Sequence, residues 1–144
     1  MLCSPEVGQA GEAQCVEVAT PPQFHKGIPG IWSPEHLFTA AVNSCLMTTF
    51  LAIAESSKLE FSSFSCRATG TLNSVDGKLQ MTEIKLEPVV KVPNPSDIVR
   101  AMKFIKKAED NCLISRSVTA KVVMLPSVEL AEANQEQNAA EAMT

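Results

Sequence analysis

The feature that most constrains this chain is a run of 18 residues without a charged side chain, residues 37–54. Immediately before it, Ser33 can cap a helix by accepting a hydrogen bond from a backbone amide, and Pro34 suits the first helical position. Glu35 then favours the positive end of the helix dipole. These signals predict a helix over residues 33–57, about 25 residues and about 37 Å long. Because its apolar residues lie on every side, we expect this helix to be buried at the centre of the fold.

The same run reaches the lower length limit of a membrane-spanning segment. It has neither flanking aromatic anchors nor a neighbouring basic cluster, however, and it carries several hydroxyl and amide side chains. These are Thr39, Asn43, Ser44, Thr48 and Thr49. We therefore expect the core helix of a soluble protein, with no membrane partner.

The charge of the chain argues against nucleic acid as a partner. With a net charge of −4 and a pI of about 5.2, the protein offers no basic surface that would displace counterions from a phosphate backbone. The first 30 residues also lack the basic start and the apolar core of a secretory signal. We expect a cytoplasmic protein, in which thiols stay reduced.

Strand signals lie on both sides of the long helix. Residues 14–19 alternate as a short strand, and the proline- and glycine-rich residues 20–30 indicate a shaped loop before the helix. After the helix, residues 59–73 and 78–92 alternate again. The sequence SVDGK between them contains Gly77, which can adopt positive φ, so a β-hairpin is predicted.

Residues 94–111 predict a second helix with one apolar face. That face would contain Ile98, Val99, Met102, Ile105 and Ala108. Asn111 suits a left-handed residue at the end of this helix. A last strand is predicted over residues 117–125.

This order of elements indicates an α+β fold in one domain. We expect an antiparallel sheet covered by the long buried helix and by the amphipathic helix. Residues 13–126 would form the domain, residues 1–12 would be disordered, and residues 127–144 would be a flexible tail. Because two helices would leave hydrophobic surface uncovered, an obligate homodimer is predicted.

Five cysteines without a CxxC pair argue against a structural zinc site, and we expect neither a metal nor a cofactor. Cys45 falls in the middle of the long predicted helix, and Cys112 falls just after the amphipathic one. A thiolate can attack a peroxide to form a sulfenic acid, which a second thiol nearby converts to a disulfide. Alternatively, Cys45 only fills a gap in the core, as we expect Cys66 to do.

Two stretches, SPEHLFTAAVNSCLMTTFLAIAES and AEDNCLISRSV, resemble motifs of the OsmC/Ohr family of thiol peroxidases. Members typically have Asn/Ser-Pro-Glu-x-Leu, a cysteine ten residues after that glutamate, and a later Cys-Pro-x-Ser. Here Glu35 and Cys45 keep the interval, Cys112 stands in the later motif, and the resemblance covers about residues 24–125. It implies an intertwined homodimer with active sites at the subunit interface, reducing hydroperoxides, organic ones above all. Cys45 would be the peroxidatic thiol, Cys112 the resolving thiol and Glu35 an acid group nearby.

The chain departs from the family pattern at two points. Leu113 stands where the family has proline, and no arginine precedes Arg67, whereas active members hold an N-terminal arginine that stabilises the thiolate. Without a cation, and inside an apolar helix, Cys45 is expected to have a raised pKa and to react slowly. The candidates for a replacement cation are His25, Lys26, His36 and Arg116.

Ligand binding is assigned to four residues near the start of the long helix: His25, Lys26, Trp32 and Phe38. Trp32 directly precedes Ser33 and would either staple the loop to the helix or cover a pocket. Glu35 and Cys45 would lie about 15 Å apart along a straight helix. For Glu35 to serve the reactive site, the helix must break between them or Glu35 must reach the partner's Cys45.

These observations predict a cytoplasmic peroxidase whose partners are a hydroperoxide substrate and an external thiol reductant. The alternative is an OsmC-like dimer without peroxidase activity that binds a small apolar or electrophilic ligand at the interface, with the missing arginine as its signature. A purely structural interaction domain would be favoured if Cys45 and Cys112 were too far apart to bridge.

Overall fold

The computed structural model describes residues 2–3 and 15–132, and its longest helix is α1, Pro34–Ser56. The predicted start is confirmed: the Ser33 hydroxyl accepts a hydrogen bond from the backbone amide of His36, 3.3 Å away. His36 completes a reciprocal cap because its Nδ1 accepts from the backbone amide of Ser33 at 3.1 Å. This arrangement satisfies two backbone donors that a helix start otherwise leaves without partners. The role of His36 was not predicted.

The predicted hairpin is confirmed as two long antiparallel strands, β3 (Ser63–Val75) and β4 (Lys78–Val92). Asp76 and Gly77 have φ of 50° and 76°, so both residues of the tight turn are left-handed. The register shifts between Thr71 and Leu72. In the sequence, Leu79 and Met81 alternate in one phase and Ile84 and Leu86 in the other, and this bulge is the physical reason for the change.

The rest of the sheet differs from the expectation of a purely antiparallel arrangement. Strands β5 (Lys121–Met124) and β6 (Ser127–Leu130) both pair in parallel with β4, so the sheet is mixed. The edge of β4 is long enough to take both, with the non-donating Pro126 in the gap between them. Residues 127–130, predicted to belong to a flexible tail, are therefore part of the sheet, while residues 133–144 lie outside the described residues.

At the other end of the chain, β1 (Leu2–Cys3) pairs antiparallel with β2 (Cys15–Val16). Residues 2–3 belong to the segment 1–12 for which disorder was predicted, and the remainder of that segment lies outside the described residues. Cys15 is disulfide-bonded.

The amphipathic helix is α2, Ile98–Asp110, preceded by a 3₁₀ turn over Pro95–Asp97. It buries Ala101, Ile105 and Ala108. Val99 was predicted on this buried face, but its side chain is 80% exposed because it lies on the far side of the helix. Asn111 has φ of −103° rather than a left-handed conformation, and a short helix that was not predicted, α3 (Leu113–Arg116), follows.

One stripe of α1 packs into the core formed by the sheet and α2. Val42, Leu46, Phe50 and Ala54, spaced four residues apart, are buried, and the ring of Phe50 contacts those of Phe61 and Phe64.

The opposite side of α1 is not covered within one chain, since Met47 and Leu51 are each 38% exposed. The expectation of a helix buried on every side is therefore wrong for the single chain, because the sheet can cover only one face. By length and composition alone, α1 could also cross a membrane. One such helix is weak evidence of a span, because core helices of soluble proteins pass the same test.

Candidate active site at Cys45 and Cys112

Folding brings Cys45 and Cys112 together although they are 67 residues apart in the sequence. Cys45 lies in the middle of α1, where it is partly exposed, and Cys112 is the fully buried residue that precedes α3. The Cys112 side chain hydrogen-bonds with the Cys45 thiol. Both thiols are free, and a disulfide between them remains a prediction.

Helix α3 places its first backbone amides beside the Cys45 sulfur. Cys112 is extended, with φ of −70° and ψ of 109°, and directs the chain into α3 immediately afterwards. The first amides of a helix have no partner within that helix. Those of Leu113 and Ile114 hydrogen-bond to Cys45, and Thr49, one turn further along α1, also contributes a side-chain hydrogen bond.

The pKa of Cys45 is lowered from its ordinary value of 9.0. Burial acts in the opposite direction and raises it, but hydrogen bonds from the Ile114 amide, the Cys112 and Thr49 side chains and the Leu113 amide outweigh that effect. The expectation of a raised pKa was therefore wrong. None of these donors carries a formal charge, so uncharged groups favour the thiolate here.

The four candidates for a replacement cation are held elsewhere. Arg116 donates from Nη2 to the backbone carbonyl of Asp110 at 2.7 Å, and His36 is engaged in the cap of α1. His25 and Lys26 are exposed in the loop before the helix. None of the four is among the groups that shift the pKa of Cys45.

Cys66 provides the contrast. This free thiol lies on β3 and packs against the core, as expected. Burial raises its pKa to about 11, and the charge of Glu87 adds to the effect although the backbone of Glu87 also supplies a hydrogen bond. Cys66 should therefore be a poor nucleophile at neutral pH.

The remaining predicted site residues divide between a cavity, the core and the loop. Trp32 and Glu35 line a cavity of about 690 Å³ between the start of α1, the preceding loop and the hairpin. Phe38 packs against the core instead. Because α1 is unbroken from Pro34 to Ser56, Glu35 stays about 15 Å from the Cys45 of its own chain.

We predict that iodoacetamide at pH 7 alkylates Cys45 at least about tenfold faster than Cys66. The pKa of Cys66 is about 11 whereas that of Cys45 lies below the ordinary 9.0, so a much larger fraction of Cys45 is thiolate at pH 7. The lower nucleophilicity of the more acidic thiol offsets only part of this gain. The alkylation rate of Cys45 should rise with pH and then level off. Because the pKa of Cys45 is lowered, it should level off at a lower pH than the alkylation rate of a free cysteine does. Peptide mass spectrometry would measure both rates. Equal rates at Cys45 and Cys66 would contradict the site described here.

Residues 27–125 match the family model described as OsmC-like protein. The uncharacterized protein YmaD of Bacillus subtilis is 29% identical over 93 residues, 62% of either chain, so the match spans less than two thirds of YmaD. An OsmC-like protein of unknown function from Vibrio cholerae is 31% identical, with a TM-score of 0.63 over 69% of this chain and 67% of that one. An organic hydroperoxide resistance protein OsmC from Legionella pneumophila, 20% identical, has the same fold, with a TM-score of 0.59 over 79% of this chain and 80% of that one. The chain belongs to the OsmC-like protein family.

Proposed function

We propose that this protein is a cysteine-based peroxidase that reduces organic hydroperoxides. The observation that carries the proposal is the Cys45 thiol, which contacts Cys112 and has a lowered pKa. Two proteins of the same fold, from Legionella pneumophila and Elizabethkingia anophelis, are named organic hydroperoxide resistance proteins. Their names make a hydroperoxide a reasonable substrate class for this chain.

In the first step, the Cys45 thiolate attacks the outer oxygen of the hydroperoxide. An S–O bond forms as the O–O bond breaks, and the departing alkoxide takes a proton to become an alcohol. Cys45 is then a sulfenic acid. The Cys112 thiol attacks its sulfur, so that a disulfide forms and water leaves. Two thiol equivalents from an external reductant restore both cysteines and become a disulfide themselves.

Backbone amides would take the part of the missing arginine in this reaction. The Leu113 and Ile114 amides favour the thiolate before attack, and the Thr49 side chain adds a further hydrogen bond. A proline after Cys112 would carry no N–H, so Leu113 provides a donor that the family's usual residue cannot provide. Leu113, which stands where the family has proline, thus partly compensates for the absence of the family's N-terminal arginine.

The proposed active form is a cytoplasmic homodimer. The apolar side of α1 that carries Met47 and Leu51 is open in the single chain, and a second copy would cover it. Glu35 cannot reach the Cys45 of its own chain, so any part it plays in the reaction requires that second copy.

Cumene hydroperoxide should be consumed by the reduced protein with dithiothreitol as reductant, and Cys45→Ser should abolish this activity. Cys112→Ser should still form a sulfenic acid, trapped with dimedone, but it should over-oxidise after the first turnovers because no thiol remains nearby. Cys66→Ser is the matched control and should retain wild-type consumption. Hydroperoxide consumption that does not depend on Cys45 would refute the mechanism. If the wild type consumes no hydroperoxide, the ligand-binding alternative remains.

The amide of residue 113 can be tested by comparing Leu113→Pro with Leu113→Ala. A backbone hydrogen bond to the thiolate favours the charged form, so its loss raises the pKa of the thiol. Leu113→Pro should therefore raise the pKa of Cys45, measured as a shift to higher pH in the profile of its alkylation. Leu113→Ala keeps the amide and should leave the profile unchanged. Circular dichroism would verify that both variants are folded, and identical pH profiles would exclude a role for this amide.

The homodimer can be tested by sedimentation. The wild type should sediment at twice the chain mass of 15.5 kDa. Leu51→Glu places a charge on the open face of α1 and should shift the protein to the monomer, whereas Val99→Glu, at an 80% exposed position on α2, should not. A wild type that stays monomeric at micromolar concentration would rule the dimer out.

A further inference from the structure

The two thiols of the candidate active site differ in their access to solvent. Cys112 is 0% exposed, whereas Cys45 is partly exposed on α1. In thiol–disulfide exchange, a thiolate attacks one of the two sulfurs from the side opposite the bond that breaks. A reductant that opens a disulfide between these residues must therefore reach the far side of one sulfur, and the surroundings of each sulfur decide which one.

Backbone hydrogen bonds hold Cys112 in its buried place. Its amide donates to the carbonyl of Glu109 at 3.1 Å, and its own carbonyl accepts from the amide of Arg116 at 3.4 Å. The Arg116 side chain also donates from Nη2 to the carbonyl of Asp110 at 2.7 Å. The turn between α2 and α3 is thus fixed on both sides of Cys112. Because the residue is fully buried, an outside thiol reaches its sulfur only after local unfolding.

The Cys45 sulfur, in contrast, can be reached from outside in the folded chain. Cys45 lies on the partly exposed middle of α1, and its neighbours Ala41 and Thr48, about one turn before and after it, are exposed. Both neighbours have small side chains. When Cys112 is bonded to the inner side of the Cys45 sulfur, the outer side therefore remains open to a reductant.

The acidity of the two thiols acts in the opposite direction on the first step. A more acidic thiol leaves faster, so the lowered pKa of Cys45 favours its departure after attack on Cys112. That effect only changes the rate of a step that can occur, whereas attack on Cys112 first requires the structure to open. Access therefore decides which sulfur is attacked.

We propose that an external thiol opens the Cys45–Cys112 disulfide by attack on the Cys45 sulfur alone. This inference rests on the proposed function, which supplies the disulfide and the reductant. The reductant thiolate forms an S–S bond to Cys45 as the Cys45–Cys112 bond breaks, and Cys112 leaves and takes a proton. A second reductant thiolate attacks the outer sulfur of this mixed disulfide, so that the oxidised reductant forms and Cys45 leaves as a thiolate. Cys45 is thus the residue that carries mixed disulfides, and Cys112 exchanges only with Cys45.

The first test locates the mixed disulfide. Cys66→Ser removes the other free thiol of the described residues, and this variant is oxidised with diamide and then mixed with reduced glutathione. Rapid acidification stops the exchange, because the thiolate is the attacking form. Peptide mass spectrometry should find at least about tenfold more glutathione on Cys45 than on Cys112.

The second test measures access without any disulfide. In Cys45→Ser, where the serine is close to cysteine in size, iodoacetamide should alkylate Cys112 at least about a hundredfold more slowly in the folded chain than in urea, because reaction requires local opening. Cys112→Ser is the matched variant, and folding should not slow the alkylation of its Cys45. Circular dichroism would verify that both variants are folded.

Glutathione on Cys112 to an equal or greater extent than on Cys45 would overturn the proposal. So would alkylation of Cys112 at the same rate in the folded and unfolded Cys45→Ser variant. If diamide forms no Cys45–Cys112 disulfide, the proposal fails together with the resolving role of Cys112. Because the disulfide is made without peroxide, loss of peroxidase activity would not change these results, and glutathione on Cys112 would leave the peroxidase proposal intact.

Discussion

The packing of one helix against one sheet determines the arrangement of the whole molecule. Val42, Leu46, Phe50 and Ala54 fix the rotation of α1 about its own axis, because they are the side chains buried in the core against the sheet and α2. Once that rotation is set, Cys45 must face α3, and Glu35 and Asn43 must face the cavity wall formed by the hairpin. An apolar stripe thus decides where the polar groups act.

Reactivity at Cys45 depends on backbone geometry more than on side-chain identity. The amides of Leu113 and Ile114 are available because α3 begins directly after Cys112. The same short segment, residues 112–114, therefore places both the donors and the second thiol beside Cys45. Cys66 is more deeply buried than Cys45 and has no donors from a helix start, and burial raises its pKa to about 11. The contrast indicates that burial alone does not prepare a thiol for chemistry, and that unpaired amides can reverse its effect.

Local signals in the sequence were sufficient for the elements that local interactions stabilise. The cap at Ser33 and the left-handed turn at Gly77 follow from residue types whose partners lie within a few positions. Strand β6 could not be found in this way, because its partner in β4 lies far away in the sequence and its pairing depends on the edge that β4 offers. The donors to Cys45 were missed for a different reason: every residue except proline carries an amide, so no letter in the sequence distinguishes Leu113 as a donor.

A thiolate held by peptide groups differs from one held by an ion pair in its response to the solution. An arginine or lysine partner exerts a long-range field that dissolved ions screen, over about 8 Å at physiological ionic strength. The amides of Leu113 and Ile114 act as short-range dipoles in direct contact with the sulfur, and they neither titrate nor exchange partners with free counterions. The acidity of Cys45 should therefore depend less on ionic strength than that of a thiolate paired with an arginine or lysine.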